Sequence, residues 1–180
     1  MPRHEFVPPH LRKSAYADGP LPIGHGQTIS QPYIVAFMTE AVDPQPDHRV
    51  LEIGSGCGYQ TAVLAELAGE VFSVEIVAGL AEKAAETLSR LGYASAHVRQ
   101  GNGWRGWPEH APYDAIVVTC APVELPTRLL DQLKVGGRMI VPVGSLYDGQ
   151  ELVLIEKTER GYDRRSVMAV RFVPMTGKDD

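Results

Sequence analysis

The chain has 180 residues, 44% of them hydrophobic and 22% charged, which suits one domain with a full core and is too short for two comfortable ones. A formal net charge of −5 gives no general pull towards nucleic acid or an anionic membrane. No run approaches the length of a membrane span, the first 20 residues lack the apolar stretch of a secretory signal, and Cys57 and Cys120 have no CxxC partner. These features point to a cytoplasmic protein without a structural disulfide, and six scattered histidines with no HxxxH or HxH pair give no support to a metal site.

Residues 1–31 are rich in Pro, Gly and His without periodicity, and read as an irregular lead-in. From Pro32 the apolar residues Ile34, Phe37, Met38, Ala41 and Val42 recur at helical spacing, with Ser30 or Gln31 placed to cap the helix and Pro32 in its first turn. RVLEIGSGCGY then gives a strand over 50–53 that ends in a glycine loop, and TAVLAELAG a helix closed by Gly69. A second strand, VFSVE, precedes a helix with Leu80, Ala84, Leu88 and Leu91 on one face and Gly92 as its stop.

The segment HVRQ supplies a third strand, and AIVVT (115–119) is the continuous apolar run of a strand covered on both faces. LPTRLLDQLKVGG predicts another helix with a glycine stop, before the strand RMIVPV. ELVLIEK and RSVMAVRFV are joined by a turn too short for a crossover helix, so they pair antiparallel, and Arg160, Arg164 and Arg165 read as a solvated hairpin. The expected fold class is α/β: a doubly wound, mostly parallel sheet with a C-terminal antiparallel hairpin. Within a single domain over 1–180, residues 32–145 form the α/β core and 146–180 the antiparallel tail.

Gly54, Gly56 and Gly58 directly follow the first strand, where such a fold opens its ligand crevice. Glu75 ends the next strand, at the place where a carboxylate accepts hydrogen bonds from both hydroxyls of a ribose. The spacing is GxGxG rather than the GxGxxG of a dinucleotide fingerprint, and Glu52 just before it suits a cationic methionine group better than a pyrophosphate. The pattern therefore favours S-adenosylmethionine over NAD. In QGNGWRGWP, after the third strand, Asn102 is placed to hydrogen-bond an adenine amino group, while Trp104 and Trp107 suit either the site or the core.

PRHEFV (2–7), LPIGHGQTISQP (21–32), RVLEIGSGCGYQTA (49–62), GNGW (101–104), YDAIVVTCAP (113–122), GGRMIVPVG (136–144) and VRFVP (170–174) together resemble the protein-L-isoaspartate O-methyltransferase family. The resemblance covers nearly the whole chain, and LPIGHGQTISQP is its most specific piece. It implies a sheet of the S-adenosylmethionine-dependent methyltransferase type, with Ser30 as the active-site serine. The implied cofactor set is Glu52, Gly54, Ser55, Gly56, Gly58, Gln60, Thr61, Glu75, Gly101 and Asn102. Ile23, Gly24, His25, Gln27, Thr28, Ile29, Arg171 and Phe172 are the implied peptide-binding set.

The implied reaction is methylation of L-isoaspartyl residues, whose esters cyclise to succinimide and reopen partly as aspartate, by a monomer acting on damaged proteins. The family usually has a helical segment before PRHxFV, and aspartate at the place of Asn102. Two rivals are a methyltransferase of the same fold with a small-molecule or RNA acceptor, which has no reason to contain LPIGHGQTISQP, and a non-catalytic cofactor-binding adaptor.

Overall fold

The structure, a computed structural model, describes residues 1–178, so the last two residues of the expected 146–180 tail lie outside it. Seven strands form one sheet: β3 (Arg49–Ile53), β4 (Glu70–Glu75), β5 (Ala96–Gln100), β6 (Tyr113–Val118), β7 (Leu133–Ser145), β8 (Gly149–Thr158) and β9 (Gly161–Val170). Their spatial order is β5-β4-β3-β6-β7-β8-β9. The first five in that order pair in parallel, and β7, β8 and β9 pair antiparallel.

The apolar run of β6 is continuous, and β3 is buried from Val50 to Ile53, because both faces are covered. Val50, Ala115 and Val117 point to a cluster with Met38 and Val42 of α1 (Pro32–Val42) and Leu64 of α2 (Tyr59–Ala65). Leu51, Ile53, Ile116 and Val118 point the other way, to Leu129 and Leu130 of α4 (Thr127–Asp131). A third cluster joins Phe6 and Ile23 to Leu80 and Leu88 of α3 (Ala78–Arg90). The strand order reverses at β3, with β4 on one side and β6 on the other, and ligands of such sheets bind outside the strands' carboxyl ends at that reversal.

Several local expectations are corrected. The lead-in is ordered, with 3-10 turns at Arg3–Phe6 and Pro9–Ser14 and a hairpin of β1 (Leu21–Gly24) and β2 (Gln27–Ile29). Its tight corner is made by Gly24, His25 and Gly26, all at positive φ, so the glycines here are turn residues. Gly69 does not close α2, which ends at Ala65; it passes so close to the 46–48 backbone that a Cβ would stand 2.8 Å from the Pro46 carbonyl oxygen. The helix expected over 125–137 stops at Asp131, because Leu133 pairs with Tyr113 and Lys134 bonds the Asp114 carboxylate at 2.7 Å, drawing the chain into β7. The last strand ends at Val170 instead of 173, since the chain then turns and Ala121 donates to the Val173 carbonyl at 2.8 Å.

Candidate active site

Three neighbouring clefts open at the carboxyl ends of β3, β4 and β6, and all three share Thr28 and Thr119 as walls. One of them, against the glycine loop, is a cavity of about 630 Å³. Its walls are Gly54 and Gly56, the apolar residues Ile53, Val74, Ile76 and Val77, the Glu75 carboxylate, and Val173 to Thr176. Gly54 has φ +93° and a Cβ there would run into the Thr119 hydroxyl, which donates to the Ile53 and Gly54 carbonyls at 3.0 and 2.6 Å. Only glycine meets both conditions without strain.

Glu75 is nearly buried; Gly56 N–H donates to its Oε2 at 2.8 Å and Val77 N–H to its Oε1 at 3.0 Å. The carboxylate thus ties the loop to the end of β4 and still presents lone pairs to the cavity wall. An apolar slot, a glycine cradle and one fixed carboxylate fit an adenosine whose ribose hydroxyls donate to Glu75. They equally suit a ligand with net positive charge.

The other expected cofactor residues occupy different places. Ser55 and Gln60 line the small inner cleft with Gly54 and Gly56. Glu52 and Thr61 do not reach any of the three clefts: both are fully buried beneath the loop. There Glu52 Oε2 accepts from Thr61 Oγ1 at 2.5 Å and from Ser73 Oγ at 2.6 Å, and Ser73 is joined to Ser55 at 2.5 Å. Gly58 packs against Ala84 and Leu88, Gly101 N–H donates to the Glu75 carbonyl at 2.9 Å, and Gly103 takes the place at the cavity wall. Asn102 also lies outside the cavity wall; its Oδ1 accepts from Trp104 N–H at 2.9 Å and its Nδ2 donates to the Gly177 carbonyl at 2.5 Å. One of these bonds ties Asn102 to the residue that follows the 173–176 wall stretch.

Burial pushes the Glu52 carboxyl up to about 7, above its ordinary 4.5, and the two hydroxyl donors only partly oppose this. Because the folded state holds the proton more tightly than the unfolded one, stability from this group is full below about pH 4.5 and is lost as pH rises through about 7. The total is on the order of 3 kcal/mol. Glu52→Gln, which keeps the shape and cannot ionise, should flatten that decline. Denaturant unfolding at pH 5 and pH 8 checks it: parental and variant stabilities that change in parallel would show that Glu52 does not titrate in this window.

Ser30 lines the second cleft, which also has Gln31, Ile34, Arg171 and Phe172 in its walls, and lines the inner cleft with Ile29. Among the described residues the Ser30 hydroxyl has no hydrogen-bond partner. The N-cap of α1 is Gln31 with no side-chain cap, so the expected capping by Ser30 is not observed. Gln27 and Thr28 reach the Glu75 cavity, whereas Ile23, Gly24 and His25 lie outside all three clefts, Ile23 buried against Gly56. Thr119, Cys120, Met175 and Thr176 are wall residues that sequence reasoning missed, whereas Val173 and Pro174 belong to the VRFVP segment already singled out. The first two could have been found from their position at the end of β6, but nothing local marks Met175 and Thr176. Burial pushes the Cys120 thiol up to about 12, so it stays protonated at neutral pH. No cluster of three or more potential metal ligands occurs among the described residues.

A family profile described as protein-L-isoaspartate(D-aspartate) O-methyltransferase matches residues 1–180. A protein-L-isoaspartate O-methyltransferase of Gloeobacter violaceus is 56% identical over 176 residues, which cover 98% of this chain and 86% of that protein. A solved protein-L-isoaspartate O-methyltransferase superposes with a TM-score of 0.90 at 34% identity, covering 98% of this chain; the chain spans 59% of that structure's length. A Plasmodium falciparum protein described as a member of the same class was solved in complex with S-adenosyl-L-homocysteine. It superposes with a TM-score of 0.83 at 27% identity, over 97% of this chain and 85% of its own.

Proposed function

The chain belongs to the protein-L-isoaspartate O-methyltransferase family, and we propose that it carries out that family's reaction at the junction of the three clefts, with Ser30 as the residue that meets the acceptor. It is an S-adenosylmethionine-dependent carboxyl O-methyltransferase acting on L-isoaspartyl residues of damaged proteins, and so initiates their repair. The observation that carries the site assignment is the shared wall of Thr28 and Thr119, which brings the Ser30 cleft against the Glu75 cavity.

The acceptor carboxylate has an ordinary pKa of about 4 and is already ionised at neutral pH, so no general base is required. When bound, the cofactor supplies an electrophilic methyl group on a sulfonium. Glu75 holds the ribose, the Gly54 and Gly56 backbone admits the ligand closely, and Asn102 keeps the 173–177 segment in place as a wall. Ser30 would donate its unused hydroxyl to one carboxylate oxygen and leave the other free to take the methyl group, so rate would come from orientation and a water-poor setting. Gln27, Thr28, Ile29, Arg171 and Phe172 hold the flanking peptide. The chain works as a monomer in the cytoplasm, without nucleic acid or membrane. Its two free cysteines suit a reducing compartment, and no helix among the described residues is long and apolar enough to cross a membrane.

The direct test is methyl incorporation into an isoaspartyl peptide and into its normal aspartyl twin. Transfer to the first and not the second is expected. Equal transfer, or transfer to neither, would overturn the acceptor assignment.

A further inference from the structure

Residues 1–19 line none of the three clefts, yet they contain a fully buried cation. Arg3 is 1% exposed, and no carboxylate lies within ion-pair distance of it among the described residues. Its planar fork is spent on three backbone carbonyls from separate parts of the chain: Nη1 donates to Ala15, while Nη2 donates to Gly19 at 3.0 Å and to Ser30 at 3.0 Å. The guanidinium also lies 5.6 Å from the Tyr59 ring centroid, at the start of α2. A buried charge is costly unless it is fully hydrogen-bonded, and the Arg3 Nε is buried without a partner among the described residues. This arrangement is therefore an expensive way to order a loop, and one of its three anchors is the peptide unit of the serine that meets the acceptor.

The other side of Ser30 is held from the same lead-in. Asp18 Oδ1 accepts from Tyr33 N–H at 3.0 Å, and its Oδ2 accepts from Gln31 Nε2 at 2.9 Å. The carboxylate thus satisfies one of the orphan donors in the first turn of α1, a task that neither Ser30 nor Gln31 performs. Ser30 sits between the two grips, its carbonyl fixed by Arg3 and the turn after it fixed by Asp18, with its hydroxyl uncommitted in the cleft wall.

We infer that Arg3 and Asp18 are positioning residues for Ser30, a two-sided clamp that sets the direction of its hydroxyl towards the acceptor carboxylate without touching substrate or cofactor. The inference rests on the reading of Ser30 given above. Lysine cannot replace Arg3, because a single ammonium on a flexible stem lacks the two separated nitrogens with which Arg3 reaches the three carbonyls.

The test uses Arg3→Lys, Asp18→Asn, Ser30→Ala and the double variant Arg3→Lys/Ser30→Ala in the full chain. Thermal midpoint, S-adenosylhomocysteine affinity by calorimetry, and kcat and KM on an isoaspartyl peptide are measured on each. Arg3→Lys is expected to lower kcat roughly ten- to a hundredfold, as a misaimed donor would, with S-adenosylhomocysteine affinity within about twofold. In the Ser30→Ala background the same substitution should lower kcat by less than about twofold, since no hydroxyl remains to be aimed. Asp18→Asn, which keeps the side chain's shape, should lower kcat about three- to tenfold. Additive losses in the double variant, or near-parental kcat in both single clamp variants, would overturn the inference. If Arg3→Lys does not fold, Asp18→Asn decides alone, and a kcat within about twofold of the parent sinks the clamp. A parent inactive on the isoaspartyl peptide would instead sink the Ser30 reading itself, and the clamp with it.

Discussion

Ser30→Ala should lower kcat on an isoaspartyl peptide by roughly ten- to a thousandfold, the range seen when one well-placed donor is removed from a water-poor site. Affinity for S-adenosylhomocysteine should stay close to parental, because Ser30 lies in the walls of the second and inner clefts and not in the cavity lined by Glu75. Stability should change by less than about 0.5 kcal/mol, as for a residue with no cap, no core contact and no network to lose. The last point separates this expectation from the one that the sequence suggests. A serine two residues before the first-turn proline looks like an N-cap, and loss of a cap typically costs about 1 kcal/mol. Here Asp18 bonds the Tyr33 N–H, and the Ser30 hydroxyl has no partner among the described residues. Near-parental turnover in a folded variant would remove Ser30 from the chemistry.

The difference between cap and donor illustrates what was legible in the sequence. The parallel core was readable because each of its signals is local: apolar runs such as IVV in β6, a glycine loop after β3, and the helical spacing of Leu80, Ala84 and Leu88. The position of the cavity followed from the same source, since the carboxyl end of β3 is fixed once the strand is. What was not legible depends on partners far away in sequence. Asp18 caps a helix that begins 14 residues later, Asn102 bonds the carbonyl of Gly177, and Arg3 reaches Ser30.

The surroundings of Glu52 were illegible for a different reason. Its place before the glycines marked it as a cofactor ligand, but a residue on that face of β3 points under the loop, where Thr61 and Ser73 meet it. Period two along the strand was enough to raise the question and not to answer it, because both faces of β3 are covered.

Glu75→Ala should weaken cofactor affinity by roughly 2 to 3 kcal/mol, or about thirty- to more than a hundredfold. A carboxylate has about four lone-pair sites. Gly56 N–H and Val77 N–H occupy one on each oxygen, which leaves one on each for the two ribose hydroxyls. Alanine removes both hydroxyl acceptors and also frees the Gly56 N–H that holds the loop against β4, so part of the loss comes from a loosened cradle. Glu75→Gln separates these contributions by geometry. Whichever way the amide turns, its NH2 faces either Gly56 N–H or Val77 N–H, donor against donor, and it offers no acceptor to one ribose hydroxyl. The shape is retained, yet affinity should still fall at least about tenfold, because an unmade hydrogen bond to a buried group costs more than a made one contributes. A residue that merely filled the cavity wall would tolerate glutamine with little change. Calorimetry with S-adenosylhomocysteine on the folded glutamine variant therefore decides: parental affinity would mean that the end of β4 shapes the cavity without holding the ribose.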